Sequence, residues 1–167
     1  GKEEVQASLN VLKKKSLSLI DGPSVKKLEN LIANTFGKKF GLMVNSGSSA
    51  NLLALASLKL KKGSEVITPT LTFSTTVAPI YQLGLVPHFI DVGPNNFVAK
   101  IEQIEKAINK KTKAIIIPNL LGNVPDWIKI HKISKKYGLK VIEDSADTIG
   151  YKLNGKKIGK CSDISTN

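Results

Sequence analysis

The chain has 167 residues, 41% of them hydrophobic, enough for one domain with a real core. Its formal net charge of +12 rests on 25 basic residues, all of them lysine; without arginine, the preferred fork for phosphates and base edges, a dedicated nucleic-acid reader is not expected. No apolar run approaches the roughly 20 residues of a membrane span, the charged opening GKEEVQASLN lacks an apolar signal core, and a lone cysteine, Cys161, excludes a disulfide framework or a cysteine-built metal cluster, so the cytoplasm is the expected compartment.

In chain order, two helical patterns come first. Residues 2–14 carry Val5, Leu9 and Leu12 at helical spacing, and after the break DGPS residues 24–35 carry Val25, Leu28, Leu31 and Ile32. FGLMVN reads as a short strand. SGSSANLLALASLKL reads as a helix that ends at Lys62-Gly63. An alternation follows. EVITP is a strand, TTVAPIYQLG a helix despite Pro79, VPHFIDV a strand, and IEQIEKAINK a helix with Ile101, Ile104 and Ile108 on one side. KAIIIP is a strand, PDWIKIHKISKKYG a helix striped by Trp127, Ile130 and Ile133, and LKVIED a strand. YKLNGKKIG looks like a hairpin around Asn154-Gly155. The lysines fall mostly at helix ends and solvated faces.

Strand and helix in alternation predict an α/β architecture with a mainly parallel sheet. VITP, AIIIP and KVIED are near-continuous apolar runs, as strands buried on both faces should be. Ligands of such sheets bind beyond the carboxyl ends of the strands, and three segments there could carry chemistry. Asn45-Ser46-Gly47-Ser48-Ser49-Ala50-Asn51 opens a helix, where free N–H groups and serine hydroxyls would suit a phosphate; taken alone, a plain serine cap with a glycine turn is the commoner explanation. Phe73 sits in the threonine-rich turn TPTLTFSTT, as a stacking surface for a flat ligand or as a hydrophobic staple for the next helix. Asp144 ends a buried strand, where a carboxylate can hold a proton on a ligand nitrogen or be a solvated strand end. Glu143 lies on the opposite strand face, so a separate, structural role is expected. His88 and His131 belong to no recognisable motif, and neither GxSxG, a Walker loop nor HExxH occurs. In order along one chain, a phosphate cradle, an aromatic stacker and a strand-end aspartate are the parts needed to hold pyridoxal phosphate, whose ring nitrogen an acid must keep protonated.

The chain resembles the DegT/StrS-type pyridoxal-phosphate enzymes of nucleotide-sugar metabolism. The resemblance runs through GPSVKKLENLIANTFGKKFGLMVNSGSSANLLAL, GSEVITPTLTFSTTVAPIYQLGLVPHFIDV, TKAIIIPNLLGN, KVIEDSADTIG and IGKCSDIS. It implies an incomplete type I pyridoxal-phosphate transferase fold (aspartate aminotransferase-like), with residues 1–35 as an N-terminal helical segment and 36–167 as the first part of the cofactor-binding large domain. It also implies pyridoxal 5'-phosphate or pyridoxamine 5'-phosphate as cofactor, a nucleotide-sugar substrate and a homodimer, with no nucleic acid or membrane as partner. By the resemblance Gly47, Ser48 and Ser49 match the phosphate-holding positions, Phe73 the ring-stacking aromatic and Asp144 the partner of the pyridine nitrogen. Asp147 matches a site position that is often histidine or glutamine in the aminotransferases.

Asp147 at the end of EDSAD, together with NSGSSANLLAL, TTVAPI and LLGN, is similar to the branch that removes the 3-hydroxyl of a 4-keto-6-deoxy sugar. That branch can imply an iron–sulfur reductase as partner. The alternative is amino transfer from glutamate to the keto sugar. In the family a lysine, replaced by histidine in the dehydratases, does the proton transfer, and the resemblance puts that position beyond Asn167. The 167 residues alone are therefore expected to be inactive. A non-catalytic fragment is the remaining alternative.

Overall fold

Three of the apolar runs become central strands of a parallel sheet in the computed structural model, which describes residues 1–14, 20–153 and 155–167. The elements in chain order are α1 (Lys2–Lys13), α2 (Pro23–Phe36), α3 (Gly47–Ser57), β1 (Glu65–Pro69), α4 (Ser74–Gln82), β2 (Val86–Ile90), α5 (Ile101–Ala107), β3 (Thr112–Pro118), α6 (Trp127–Tyr137) and β4 (Lys140–Asp144). A small antiparallel pair, β5 (Lys152–Leu153) with β6 (Lys156–Lys157), precedes β7 (Ile164–Thr166). The predicted hairpin is thus present, while Asn154 at its tip lies outside the described residues.

The sheet runs β2-β1-β3-β4-β7, every pair parallel. Side chains of a strand alternate between faces, and the core divides accordingly. Ile67, Ile115, Ile117 and Val141 pack under α5 and α6, around Ile104, Trp127 and Ile130. Val66, Ala114, Ile116 and Ile142 pack under α3 and α4, around Ala54, Leu55 and Ile80. From β1 the chain steps to β2 on one side and then returns past β1 to β3 on the other. That reversal opens a crevice at the carboxyl ends of β1 and β3, the usual ligand position of open α/β sheets. Among the described residues no helix is long and apolar enough to cross a membrane.

Three expectations from the sequence are corrected. FGLMVN is not a strand: residues 40–45 join no ladder, and Phe40 and Leu42 are exposed. Apolar composition favours an extended chain, but a strand needs a partner, and this segment is held by α2 instead. The Met43 N–H donates to Glu29 Oε1 at 2.8 Å, and Gly41 lies so close that a Cβ there would run into the Glu29 carbonyl oxygen. α3 stops at Ser57, short of Lys62-Gly63, where the Ser57 hydroxyl donates back to the Ala54 carbonyl and Lys59 takes a positive φ of 49° to turn toward β1. α5 stops at Ala107: Ile108 is extended, and the Asn109 side chain accepts from the Lys111 N–H and donates to Glu65 Oε2, forming a turn where a helix would continue. α1 forms as its spacing predicts, yet buries none of its residues.

Glu29 anchors the segment that leads into α3. The Met43 N–H, against the opposing effect of burial, holds its carboxyl below the ordinary glutamate range, with Lys26 adding to the effect. A carboxyl depressed by folding contributes stability that is present above its unfolded value and lost as pH falls through its folded one. In urea unfolding, wild type should therefore exceed Glu29→Gln by its full margin above about pH 4.5, and the margin should shrink at lower pH. A margin independent of pH would show that the Glu29 charge does not hold this segment.

Candidate functional site

Strand β4 carries Asp144 to the crevice, on the same face as Ile142, toward α3 and α4. Its carboxylate is 6% exposed, and a buried charge must be solvated by the protein itself. Two neutral donors do so at one oxygen: Asn51 Nδ2 and Thr76 Oγ1 each reach Asp144 Oδ2 at 2.8 Å. Oδ1 has a weaker partner, the Ala146 N–H at 3.3 Å. The carboxylate lines a cavity of about 790 Å³.

The two donors are themselves fixed. Thr166 Oγ1 donates to Asn51 Oδ1 at 2.6 Å, so the Asn51 amide must turn its nitrogen toward Asp144. The same nitrogen approaches the Thr75 carbonyl at 3.4 Å. Pro79, four residues on in α4, has no N–H to claim that carbonyl for the helix, which leaves it available. Thr72 Oγ1 donates to Thr76 Oγ1 at 2.9 Å. A line of hydrogen-bonded polar side chains thus runs Thr166, Asn51, Asp144, Thr76, Thr72, and the last four of them line the cavity.

Helix α3 points its N-terminus at the same space. Ser46 caps it, its hydroxyl accepting from the Ser49 N–H at 3.2 Å. Gly47 and Ser48 line the cavity, and their first-turn N–H groups have no partner within the helix. Ser49 is turned to the cap, bonded to Ser46 through both its N–H and its hydroxyl, and does not line the cavity. Phe73 stands at the N-cap of α4, on the cavity wall and 68% exposed, so it does not act as a buried staple.

The mouth is made by the turn Leu120–Gly122 after β3 and by Asp147 after β4. Leu121 adopts φ 53°, uncommon for a residue with a side chain, and its N–H donates to Asp147 Oδ2 at 2.8 Å. Asp147 therefore fixes the rim of the cavity. Of the six residues expected at a cofactor site, the structure brings Gly47, Ser48, Phe73, Asp144 and Asp147 to one cavity and sets Ser49 beside it. Asn51 and Thr76 were not singled out from the sequence: they lie 93 and 68 residues from Asp144, and an asparagine or threonine in a helix carries no signal of such a contact. His88 faces Glu65 and His131 faces the Cys161 carbonyl, both away from this cavity.

The donor set fits a flat, phosphorylated, cationic heterocycle. Unpartnered N–H groups stand at one side, an aromatic face on the wall, and a buried carboxylate with one lightly engaged oxygen on the floor. Pyridoxal 5'-phosphate has those features.

Comparison with known proteins gives consistent findings. The sequence profile of the DegT/DnrJ/EryC1/StrS aminotransferase family matches residues 1–167. A GDP-4-keto-6-deoxy-D-mannose 3-dehydratase of Yersinia pseudotuberculosis is 42% identical over 144 residues, which cover 83% of this chain and 37% of that one. A UDP-N-acetyl-3-dehydro-alpha-D-glucosamine 3-aminotransferase of Acidithiobacillus ferrooxidans is 40% identical, over 88% of this chain and 40% of that one. Among solved structures, the E. coli GDP-4-keto-6-deoxy-D-mannose-3-dehydratase with bound hydrated PLP superposes with a TM-score of 0.84 at 39% identity, over 92% of this chain and 40% of that one. The chain thus spans about 40% of the length of the relatives it matches.

If Asp144 is the centre of the polar line, links nearer to it should matter more. Thr76→Val keeps the shape and removes a hydroxyl bonded to a buried carboxylate, and should lower the unfolding free energy by about 1.5–3 kcal/mol. Thr72→Val, one link farther out, should cost less. Equal losses in urea titrations of the two variants would contradict this order.

Proposed function

The chain belongs to the DegT/DnrJ/EryC1/StrS aminotransferase family, and from that premise we propose that the protein binds pyridoxal 5'-phosphate or pyridoxamine 5'-phosphate in the Asp144 cavity. We propose further that it acts on a nucleotide-activated 4-keto-6-deoxy sugar, removing the 3-hydroxyl, in the biosynthesis of deoxy sugars for lipopolysaccharide. The observation that carries the reading is the Asp144 carboxylate, buried and solvated at one oxygen by Asn51 and Thr76.

When bound, the cofactor supplies an amine for the sugar ketone and a ring that draws electrons from the neighbouring carbon. The chain's own residues have simpler tasks. Asp144 holds a proton on the ring nitrogen, because a fixed carboxylate in a poorly hydrated site stabilises the adjacent cation. Asn51 and Thr76 donate to Oδ2 and so hold the carboxylate in one orientation. The α3 N-terminus, at Gly47 and Ser48, meets the phosphate with N–H groups and the positive end of the helix dipole. Phe73 covers the ring and keeps water from it.

Loss of the 3-hydroxyl is favoured over amino transfer by Asp147, bound to the Leu121 N–H at the rim, in a position where the aminotransferases more often carry histidine or glutamine. Amino transfer is the second reading, supported by the aminotransferase relative at 40% identity. Replacing a hydroxyl by hydrogen consumes two electrons, which either conversion of the pyridoxamine form of the cofactor to the pyridoxal form or an iron–sulfur reductase can deliver. A cytoplasmic homodimer is part of the same proposal. Leu121 and Phe73, 71% and 68% exposed at the mouth, are the apolar surface that a second subunit is proposed to cover.

The test uses the full-length protein with pyridoxamine 5'-phosphate and GDP-4-keto-6-deoxymannose, with products read by mass spectrometry. A product that has lost an oxygen without gaining nitrogen supports dehydration, and an amino sugar supports the second reading. No turnover and no cofactor absorbance band would overturn both. In either case Asp144→Asn should lower kcat by about 100-fold or more, the scale on which a preorganised charge-stabilising group matters. Full activity in that variant would contradict the role given to Asp144.

A further inference from the structure

Glu143 is a second carboxylate beside Asp144, on the other face of β4, 0% exposed, and the proposed reaction makes no use of it. Four donors converge on it. Asn119 Nδ2 at 3.2 Å and Ser145 Oγ at 2.7 Å reach Oε1. Ser162 Oγ at 3.3 Å and Ser165 Oγ at 3.2 Å reach Oε2. A balancing charge comes from Lys38, whose ammonium donates to the Ser162 carbonyl at 2.6 Å and hydroxyl at 3.0 Å and interacts electrostatically with Glu143. Burial pulls the Lys38 pKa below its ordinary value, while the negative charges of Glu143 and Asp163 pull it back up. A side chain as costly to bury as glutamate is satisfied here by Asn119 from the β3–α6 turn, by Ser145 just after β4 and by Ser162 and Ser165 around the start of β7.

What this carboxylate grips is the cavity rim. The Trp127 indole N–H is donor-only and reaches Asn119 Oδ1 at 2.8 Å, so the Asn119 amide nitrogen must face Glu143 and Ser145. With the side chain locked on the α6 face, the Asn119 backbone is locked on the cavity side. Its N–H donates to the Asp144 carbonyl at 2.8 Å, and its own carbonyl accepts from Thr148 Oγ1 at 3.2 Å and from the Gly122 N–H at 3.2 Å. The Gly122 bond closes the turn that presents the Leu121 N–H to Asp147.

We infer that Glu143, balanced by Lys38 through Ser162, is a positioning residue: through the Asn119 amide it fixes the Leu120–Gly122 turn and the Asp147 rim that meets the sugar substrate. The inference rests on the functional reading above for the identity of that substrate. It separates two tasks across one strand. Asp144 has its own supports in Asn51 and Thr76 and serves the cofactor; Glu143 serves the mouth.

The test is Glu143→Gln in the full-length protein. The amide keeps the shape and one acceptor oxygen but loses the charge, and charge-assisted bonds are roughly twice as strong as neutral ones. The sugar KM should rise by about tenfold, the scale of weakening one charge-assisted hydrogen bond. The dissociation constant for pyridoxamine 5'-phosphate, from its absorbance change, should stay within about twofold of wild type, since Asp144 keeps its supports. Hydrogen exchange of the Trp127 indole proton, followed by 15N NMR and assigned with Trp127→Phe, should quicken with or without cofactor. In an Asn119→Ala background Glu143→Gln should add nothing to KM, because its effect passes through Asn119. If Glu143→Gln does not fold, Ser145→Ala, which removes one of the same bonds, should show the same split. Equal losses of cofactor affinity and sugar KM, an unchanged indole exchange rate, or additive effects with Asn119→Ala would overturn the inference. Failure of wild type to bind cofactor would instead count against the functional reading, while the indole exchange still decides whether Glu143 holds Asn119.

Discussion

Burying a carboxylate without a cationic partner is among the costlier things a fold can do. At Asp144 the cost is met by two neutral donors on a single oxygen, Asn51 from α3 and Thr76 from α4. Much else follows from that requirement. Both helices must pack on one face of the sheet at a fixed depth, and they do so over Leu55, Ile80 and Ile142. Thr166 must stand at the end of β7 to orient Asn51. Pro79, an unusual residue inside a helix, leaves the Thr75 carbonyl available to the same amide. A carboxylate held this way is preorganised: no side chain has to rearrange when a cation arrives, and that is the condition under which a fixed charge is worth most.

The sheet topology explains why the parts converge. The reversal of strand order beside β1 leaves a crevice where the loops after β1, β3 and β4 meet. Each loop brings a different chemical function: Phe73 after β1, the Leu120–Gly122 turn after β3, and Asp144 with Asp147 at and after β4. α3 adds its N-terminus from the side, placed by the grip of Glu29 on Met43. The two carboxylates of β4 divide the labour by strand alternation, Asp144 toward α3 and α4 and Glu143 toward Trp127 and α6.

Much of this was legible from the residues alone. The buried strands announced themselves as apolar runs, and β1, β3 and β4 lie where VITP, AIIIP and KVIED put them. Asp144 was visible because a charge at the end of such a run is conspicuous, and Phe73 because an aromatic in a threonine turn is. Residues 40–45 were misread because period and composition report a preference for extension and cannot supply a partner strand. The contacts made by Asn51, Thr76 and Thr166 are illegible in the sequence for a different reason. Each is an ordinary polar residue, and its importance arises from a contact 68 to 115 residues away in the chain.

In the proposed function the Asp144 carboxylate holds a proton on the ring nitrogen of a bound pyridoxal-type cofactor. The most direct measurement is the 15N chemical shift of ring-labelled cofactor bound to the full-length protein, in wild type and in Asp144→Asn. A protonated pyridinium nitrogen is expected in wild type and an unprotonated one in the variant. An unprotonated nitrogen in wild type, or a pyridinium that survives the substitution, would contradict it.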